Sequence, residues 1–207
     1  MTEILDALQQ PHTQLLLRLV LGGILLLAGL AKLRDRAAFR GAVAEYEAMP
    51  RPLERPFALI LPWVELTAGA LLLVGLATPA AAALATALFL SFAYAIGINL
   101  WRGRKFDCHC FGTAQRDEIG GPALVRSLAL ALAALVVATG ASRFGALEAA
   151  LFGSSTDLPP ASELLPVVFI AFVIFDVLIL LPEALATHAS FLARSRPGHA
   201  HAHGRRV

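Results

Sequence analysis

The chain is poor in charge. Charged residues make up 15% of its 207 positions against 57% hydrophobic ones, and its mean hydropathy is +0.70. Soluble domains carry about 25% charged and about 45–50% apolar residues. A chain this small with so little charge cannot cover its apolar surface, which excludes an ordinary soluble domain. A bilayer, itself apolar, removes the difficulty. Strong net charge is also lacking: the formal value is +2. That is too mild for a nucleic-acid partner and fits basic loops lying against anionic lipid. The first fourteen residues contain no Lys or Arg, so the basic start of a secretory signal is missing. The first apolar block is followed by charge instead of a small-residue cleavage site, so it is expected to be a retained helix. No Gly follows Met1 and no Cys stands near the C-terminus, so no lipid anchor is expected. Internal repeats are absent.

What is present is a series of apolar runs. A span needs roughly 17–25 such residues. Five stretches qualify, at about 15–33, 57–77, 79–100, 122–139 and 164–186. They predict an all-α integral membrane protein, a bundle of four to five transmembrane helices over residues 15–186. An N-terminal segment, 1–14, precedes it, and a disordered tail rich in His and Arg, 187–207, follows. Between the first two runs, Phe39, Val43 and Tyr46 recur at helical spacing, which predicts a short interfacial helix. Lys and Arg, counted by connection from the N-terminus, run 0, 6, 0, 4, 1 and 4. Positive charge stays in the cytoplasm. The expected protein is therefore multi-pass in the inner membrane, with its N-terminus outside and its C-terminus and the 101–121 connection cytoplasmic.

Both cysteines lie in that connection, in Cys108-His109-Cys110-Phe111-Gly112. A Cys-x-Cys pair can close a small, strained and easily reduced disulfide, which suits exchange better than stapling. It can equally give two thiolates to a soft metal, with His109 as a third ligand. The plainest alternative is two small polarizable residues at an interface. Arg102, Arg104 and Lys105 precede the pair, and positive charge favours the thiolate.

Ionisable residues inside spans are costly and are candidates for function. Glu65 falls about a third of the way into the second run, Arg126 about one turn into the fourth, and Lys32 at the end of the first. The expected orientation puts all three on the side of the cysteine connection. They can form a polar cluster beneath Cys108 and Cys110, or Lys32 and Arg126 can snorkel to headgroups with Glu65 neutralising one of them. Arg18, toward the other side, is expected to snorkel. Asp176, near the middle of the fifth run, is expected to face protein, either Asn99 or a partner chain.

Gly29-Leu30-Ala31-Lys32-Leu33, Phe39, the stretch Tyr46 to Pro50, Leu61-Pro62-Trp63-Val64-Glu65 with Gly69 and Gly75, the Cys108–Gly112 element and Arg126 occur in that order. In this the chain resembles the MauE family, within the DoxX-like group of small multi-span proteins, over about residues 15–140. Family members carry Gly where this chain has His109. The resemblance implies a role in methylamine utilisation: maturation of methylamine dehydrogenase, whose small subunit is exported and rich in disulfides, beside a thioredoxin-like partner. Two functions from different classes follow. One is a thiol–disulfide oxidoreductase in which Cys108 and Cys110 cycle, Lys32 and Arg126 stabilise a thiolate and Glu65 shuttles a proton. The other is a non-enzymatic maturation or transport factor that binds a partner protein or a soft metal through Cys108, His109 and Cys110. A purely structural subunit is a third. The residues do not decide whether the protein is an enzyme, and they require no cofactor.

Overall fold

The computed structural model describes residues 6–103, 107–108, 117–118, 121–140, 162–174 and 177. Four long apolar helices dominate it. They are α1 (Pro11–Arg34), α3 (Arg51–Val74), α4 (Thr78–Trp101) and α5 (Gly121–Thr139), with the shorter α2 (Arg36–Tyr46) between the first two. These four are long and apolar enough to cross a membrane, and the protein is a multi-pass helical membrane protein. A further apolar helix, α6 (Ser162–Ile174), overlaps the first part of the fifth predicted run. The rest of that run except residue 177, including Asp176, and the tail lie outside the described residues, as do residues 1–5 of the N-terminal segment.

Local chemistry sets the ends. Pro11, Pro52, Pro79 and Pro122 each sit in the first turn of their helix, where a missing N–H costs little. Helix α1 thereby begins at Pro11 and α3 at Arg51, both earlier than the apolar runs suggest, because helix continues into polar sequence. Asp35 starts α2, its Oδ1 accepting from the Ala38 N–H at 3.0 Å. Gly75, at φ 73°, stops α3 in the left-handed conformation that glycine adopts freely. The N–H groups of Gly75 and Leu76 both return to the Leu71 carbonyl, and the chain turns at once into α4. Pro56 and Pro62 stand inside α3 without ending it; proline is tolerated in membrane helices, where neighbouring groups satisfy the freed carbonyls.

The four long helices form a closed ring. The tightest pairings are α1 with α3 and α4 with α5, joined by α3 against α4 and α1 against α5. Helix α2 packs on α3 and α1, burying Phe39, Ala42 and Val43, so the predicted apolar stripe faces protein. Within the α4–α5 connection, Asp107 pairs with Glu118 and Cys108 with Asp117 in a two-residue antiparallel ladder. The ends of α1 and α4 and the starts of α3 and α5 all lie at the same end of the bundle, so this connection shares an end with Lys32.

The seam between α1 and α3 explains how polar residues can be buried there. On α1 the buried positions Arg18, Gly22, Leu25, Gly29 and Lys32 recur at alternating spacings of four and three. On α3 they are answered by Leu72, Gly69, Glu65, Pro62 and Ala58. That spacing is the seam of a left-handed helix pair. Glycine brings the backbones together. A Cβ on Gly69 would stand 2.8 Å from the Gly22 carbonyl oxygen, and one on Gly29 would stand 2.9 Å from that of Pro62. Without a hydrophobic drive between helices in lipid, such close approach is a main source of association.

Candidate functional site

At the α2 end of this seam lies a buried ion pair. Lys32 is 1% exposed and Glu65 0%, and Lys32 Nζ donates to Glu65 Oε1 at 2.5 Å. The pairing follows from helix geometry. A helical side chain leans toward its own N-terminus. In an antiparallel pair the two therefore lean toward each other, so Lys32 and Glu65 meet near the level of Gly29 and Pro62. The ammonium also stands 5.6 Å from the ring centre of Phe39 and 5.3 Å from that of Phe92. Both distances suit a cation–π contact. The other carboxylate oxygen, Glu65 Oε2, is buried without a hydrogen-bond partner among the described residues. A polar atom left so costs free energy in any apolar medium, so this pair is held at some expense.

The pair borders a cavity of about 190 Å³ between α2, α3 and α4. Its walls are mainly aromatic and aliphatic, with Phe39, Tyr46, Phe57, Phe92 and Tyr94 around Lys32. Tyr94, 62% exposed, stands at its edge. Asn99 closes the C-terminal end of α4 against α2: its Nδ2 donates to the Tyr46 carbonyl and to that of Ala95, each at 2.9 Å. Arg102 Nη1 adds a 3.1 Å bond to the Glu47 carbonyl.

The residues singled out in the sequence fall into three groups. Lys32 and Glu65 meet directly, and burial of Lys32 replaces the snorkelling alternative, because α2 folds over it and a carboxylate lies closer than any headgroup. Arg126, half-buried on α5, lines a small space with Ala28, Phe92 and Ser127, on the flank of Phe92 away from the α2 cavity. Cys108 is fixed by its backbone in the short ladder, whereas His109 and Cys110 lie outside the described residues. Among the described residues no three His, Cys, Asp or Glu side chains converge as a metal site would require. The Cys108-His109-Cys110 alternative falls mostly outside them.

Arg18 departs from expectation. It is 1% exposed, and its Nε donates to the Leu72 carbonyl at 3.1 Å across the seam. It does not snorkel, because its position two heptads before Lys32 points it into α3. The heptad spacing of Arg18, Leu25 and Lys32 was the available signal. Sequence reasoning also missed the aromatic walls: Phe57, Phe92 and Tyr94 lie within apolar runs, where one aromatic looks like another.

The family described as methylamine utilisation protein MauE matches residues 10–140. The chain is 40% identical over 137 residues to the methylamine utilization protein MauE of Paracoccus denitrificans, covering 65% of this chain and 73% of that one. It is 42% identical over 117 residues to the methylamine utilization protein MauE of Methylophilus methylotrophus, covering 56% of this chain and 62% of that one. With that of Methylorubrum extorquens it shares 38% over 140 residues, covering 65% and 73%. No solved structure matches.

Proposed function

The chain belongs to the MauE family of methylamine utilisation proteins, and from that premise we propose that it assists maturation of an exported protein of the methylamine dehydrogenase type by thiol–disulfide exchange through Cys108 and Cys110. One observation carries the reading: both cysteines of the chain fall within the matched region, in a connection at the same end of the bundle as the buried Lys32–Glu65 pair.

In this reading a thiolate of a thioredoxin-like partner attacks the Cys108–Cys110 disulfide. A mixed disulfide forms, and the partner's second thiol displaces it. One disulfide is lost and one is made, so two electrons pass to Cys108 and Cys110 and no other oxidant is consumed. The pair is reset when its dithiol attacks the disulfide of a second, oxidising thioredoxin-like protein and passes the two electrons on. The small ring of a Cys-x-Cys disulfide favours such opening. Arg126 favours the thiolate from the start of α5. Lys32 and Glu65, locked to each other, hold the ends of α1 and α3 beneath the connection and act as positioning residues. The distribution of Lys and Arg supports a cytoplasmic face of the inner membrane for this end, and in this reading the pair serves as the cytoplasmic port of a relay.

Thiol trapping in intact cells tests it. Acid-quenched protein labelled with a mass-shifting maleimide is expected to show interconverting dithiol and disulfide forms. Cys108→Ser and Cys110→Ser are each expected to abolish assembly of disulfide-bonded dehydrogenase subunit. Full maturation in both variants contradicts the reading. Stoichiometric metal in the purified protein, lost in both variants, would replace it with a soft-metal factor using Cys108, His109 and Cys110.

A further inference from the structure

Two side chains at the end of α4 hold the carbonyls that close α2. Asn99 Nδ2 donates to the Tyr46 carbonyl at 2.9 Å, and about one turn later Arg102 Nη1 donates to the Glu47 carbonyl at 3.1 Å. The cysteine connection leaves α4 at this point. We propose that Asn99 and Arg102 are positioning residues: together they clamp α2 to the root of the connection and so set where Cys108 and Cys110 are presented to a protein partner. The proposal rests on the thiol reading above and names residues through which the fold reaches that chemistry.

Stability alone does not account for these bonds. Asn99 is 0% exposed, and its Oδ1 has no hydrogen-bond partner among the described residues. A buried acceptor left unmet costs about as much as an amide bond returns, and an apolar residue would serve stability as well. The amide is kept for what it holds. Glu47, whose carbonyl Arg102 takes, stands at φ 43° without being glycine, a conformation that a side chain resists. Trp101, between the two clamp residues, is 87% exposed. Tryptophan at the end of a span marks headgroup level, so the clamp lies where the chain leaves lipid. Gly103 then turns the chain at φ 68°, its N–H returning to the Leu100 carbonyl at 3.0 Å. Cys108 lies five residues after Gly103, a reach of at most about 18 Å, and its backbone pairs with Asp117. A fixed root therefore confines the pair to a short radius from α2. The same bond changes what Arg102 does. Its guanidinium is engaged by α2, so it acts by holding the root instead of by charging the surroundings of the thiols.

The test uses full-length protein in lipid nanodiscs. Reduction of the Cys108–Cys110 disulfide is timed with dithiothreitol and with reduced thioredoxin. In Asn99→Ala and in Arg102→Gln the dithiothreitol rate and its pH profile are expected to match the unaltered protein, while the thioredoxin rate falls at least fivefold. Arg102→Lys, which keeps a donor of similar reach, is expected to recover most of that rate. A general structural defect would slow both reagents, and a purely electrostatic Arg102 would move the pH profile in Arg102→Gln alone. Spin labels at Cys108 and at Ala44→Cys, an exposed position on α2, give a second readout in Cys110→Ser protein that needs no redox chemistry. Their distance distribution is expected to broaden in both variants. The proposal is overturned by an unaltered thioredoxin rate in either variant, by an equal fall with both reagents, by a pH profile that shifts in Arg102→Gln, or by an unbroadened distance. Absence of a reducible disulfide in the unaltered protein would sink the thiol reading instead, and the distance measurement then decides the clamp.

Discussion

The two ends of the α1–α3 seam bury the same kind of group in different ways. At one end Arg18 crosses to a backbone carbonyl, that of Leu72. Fourteen residues later on the same helix face, Lys32 crosses to a carboxylate, lies against two aromatic rings and lines a cavity. The lesson concerns what each residue is doing. A guanidinium has five donors and a fixed fork, and a bond to a main-chain oxygen uses it as a brace between helices. An ammonium is a compact point charge, and pairing it with a buried carboxylate beside open space is poor bracing, because the desolvation cost rivals the attraction. The Arg18 end thus resembles structure, and the Lys32 end resembles a site.

The sharpest way to break this contrast is to remove half of the ion pair. Lys32→Met leaves Glu65 buried with both oxygens unpaired and is expected to cost about 3–5 kcal/mol. Lys32→Met/Glu65→Gln is expected to recover most of that loss. Thermal unfolding in detergent checks both, and a double variant no more stable than the single one would contradict the pairing. Next comes the seam that both ends share. Gly69→Leu drives a side chain against the Gly22 carbonyl and the Leu26 N–H, where even a Cβ would stand 2.8 and 2.9 Å away. It is expected to cost about 1–3 kcal/mol, and Gly41→Leu, where a Cβ would meet nothing within 4 Å, provides the neutral control in the same assay. A smaller effect is expected from Asn99→Ala, which loosens α2 from α4 by deleting the bond to the Tyr46 carbonyl, together with one to Ala95 inside α4. Such bonds are worth about 1 kcal/mol each or less. Faster hydrogen exchange confined to α2 is the readout, and unchanged exchange there would show that α2 is held by packing alone. The smallest change belongs to the far turn. Ala77 sits at φ 46° without being glycine, so Ala77→Gly is expected to raise stability by less than about 1 kcal/mol, visible as a small rise in melting temperature.

Much of this could be read in the sequence. Long apolar runs disclose spans because lipid demands internally satisfied backbone. The Phe39, Val43 and Tyr46 stripe disclosed α2 because helical period survives in an amphipathic segment. Lys32 and Glu65 were visible as charges out of place. Their partnership was not, because it depends on two helices meeting in one register. Nor was the burial of Arg18: a basic residue near a span end reads as snorkelling until the facing helix is known. Arg126 shows the converse limit. It shares a membrane side with the pair, yet it lies on the other flank of Phe92, and sidedness alone does not assemble a site. The cavity was the least legible feature, since aromatics in apolar runs carry no mark of what they surround.

The account depends on the ion pair and the two-thiol connection occupying one face of the membrane. Labelling with a membrane-impermeant maleimide measures this directly, in intact cells and in inverted vesicles. The protein to compare is the native Cys108–Cys110 chain, after reduction, with a Cys108→Ser/Cys110→Ser variant carrying Arg36→Cys just beyond Lys32. Both are expected to react in inverted vesicles and to resist reagent in intact cells. Reaction of the two from opposite sides would contradict the shared end, and with it the role assigned to Lys32 and Glu65 beneath the cysteines.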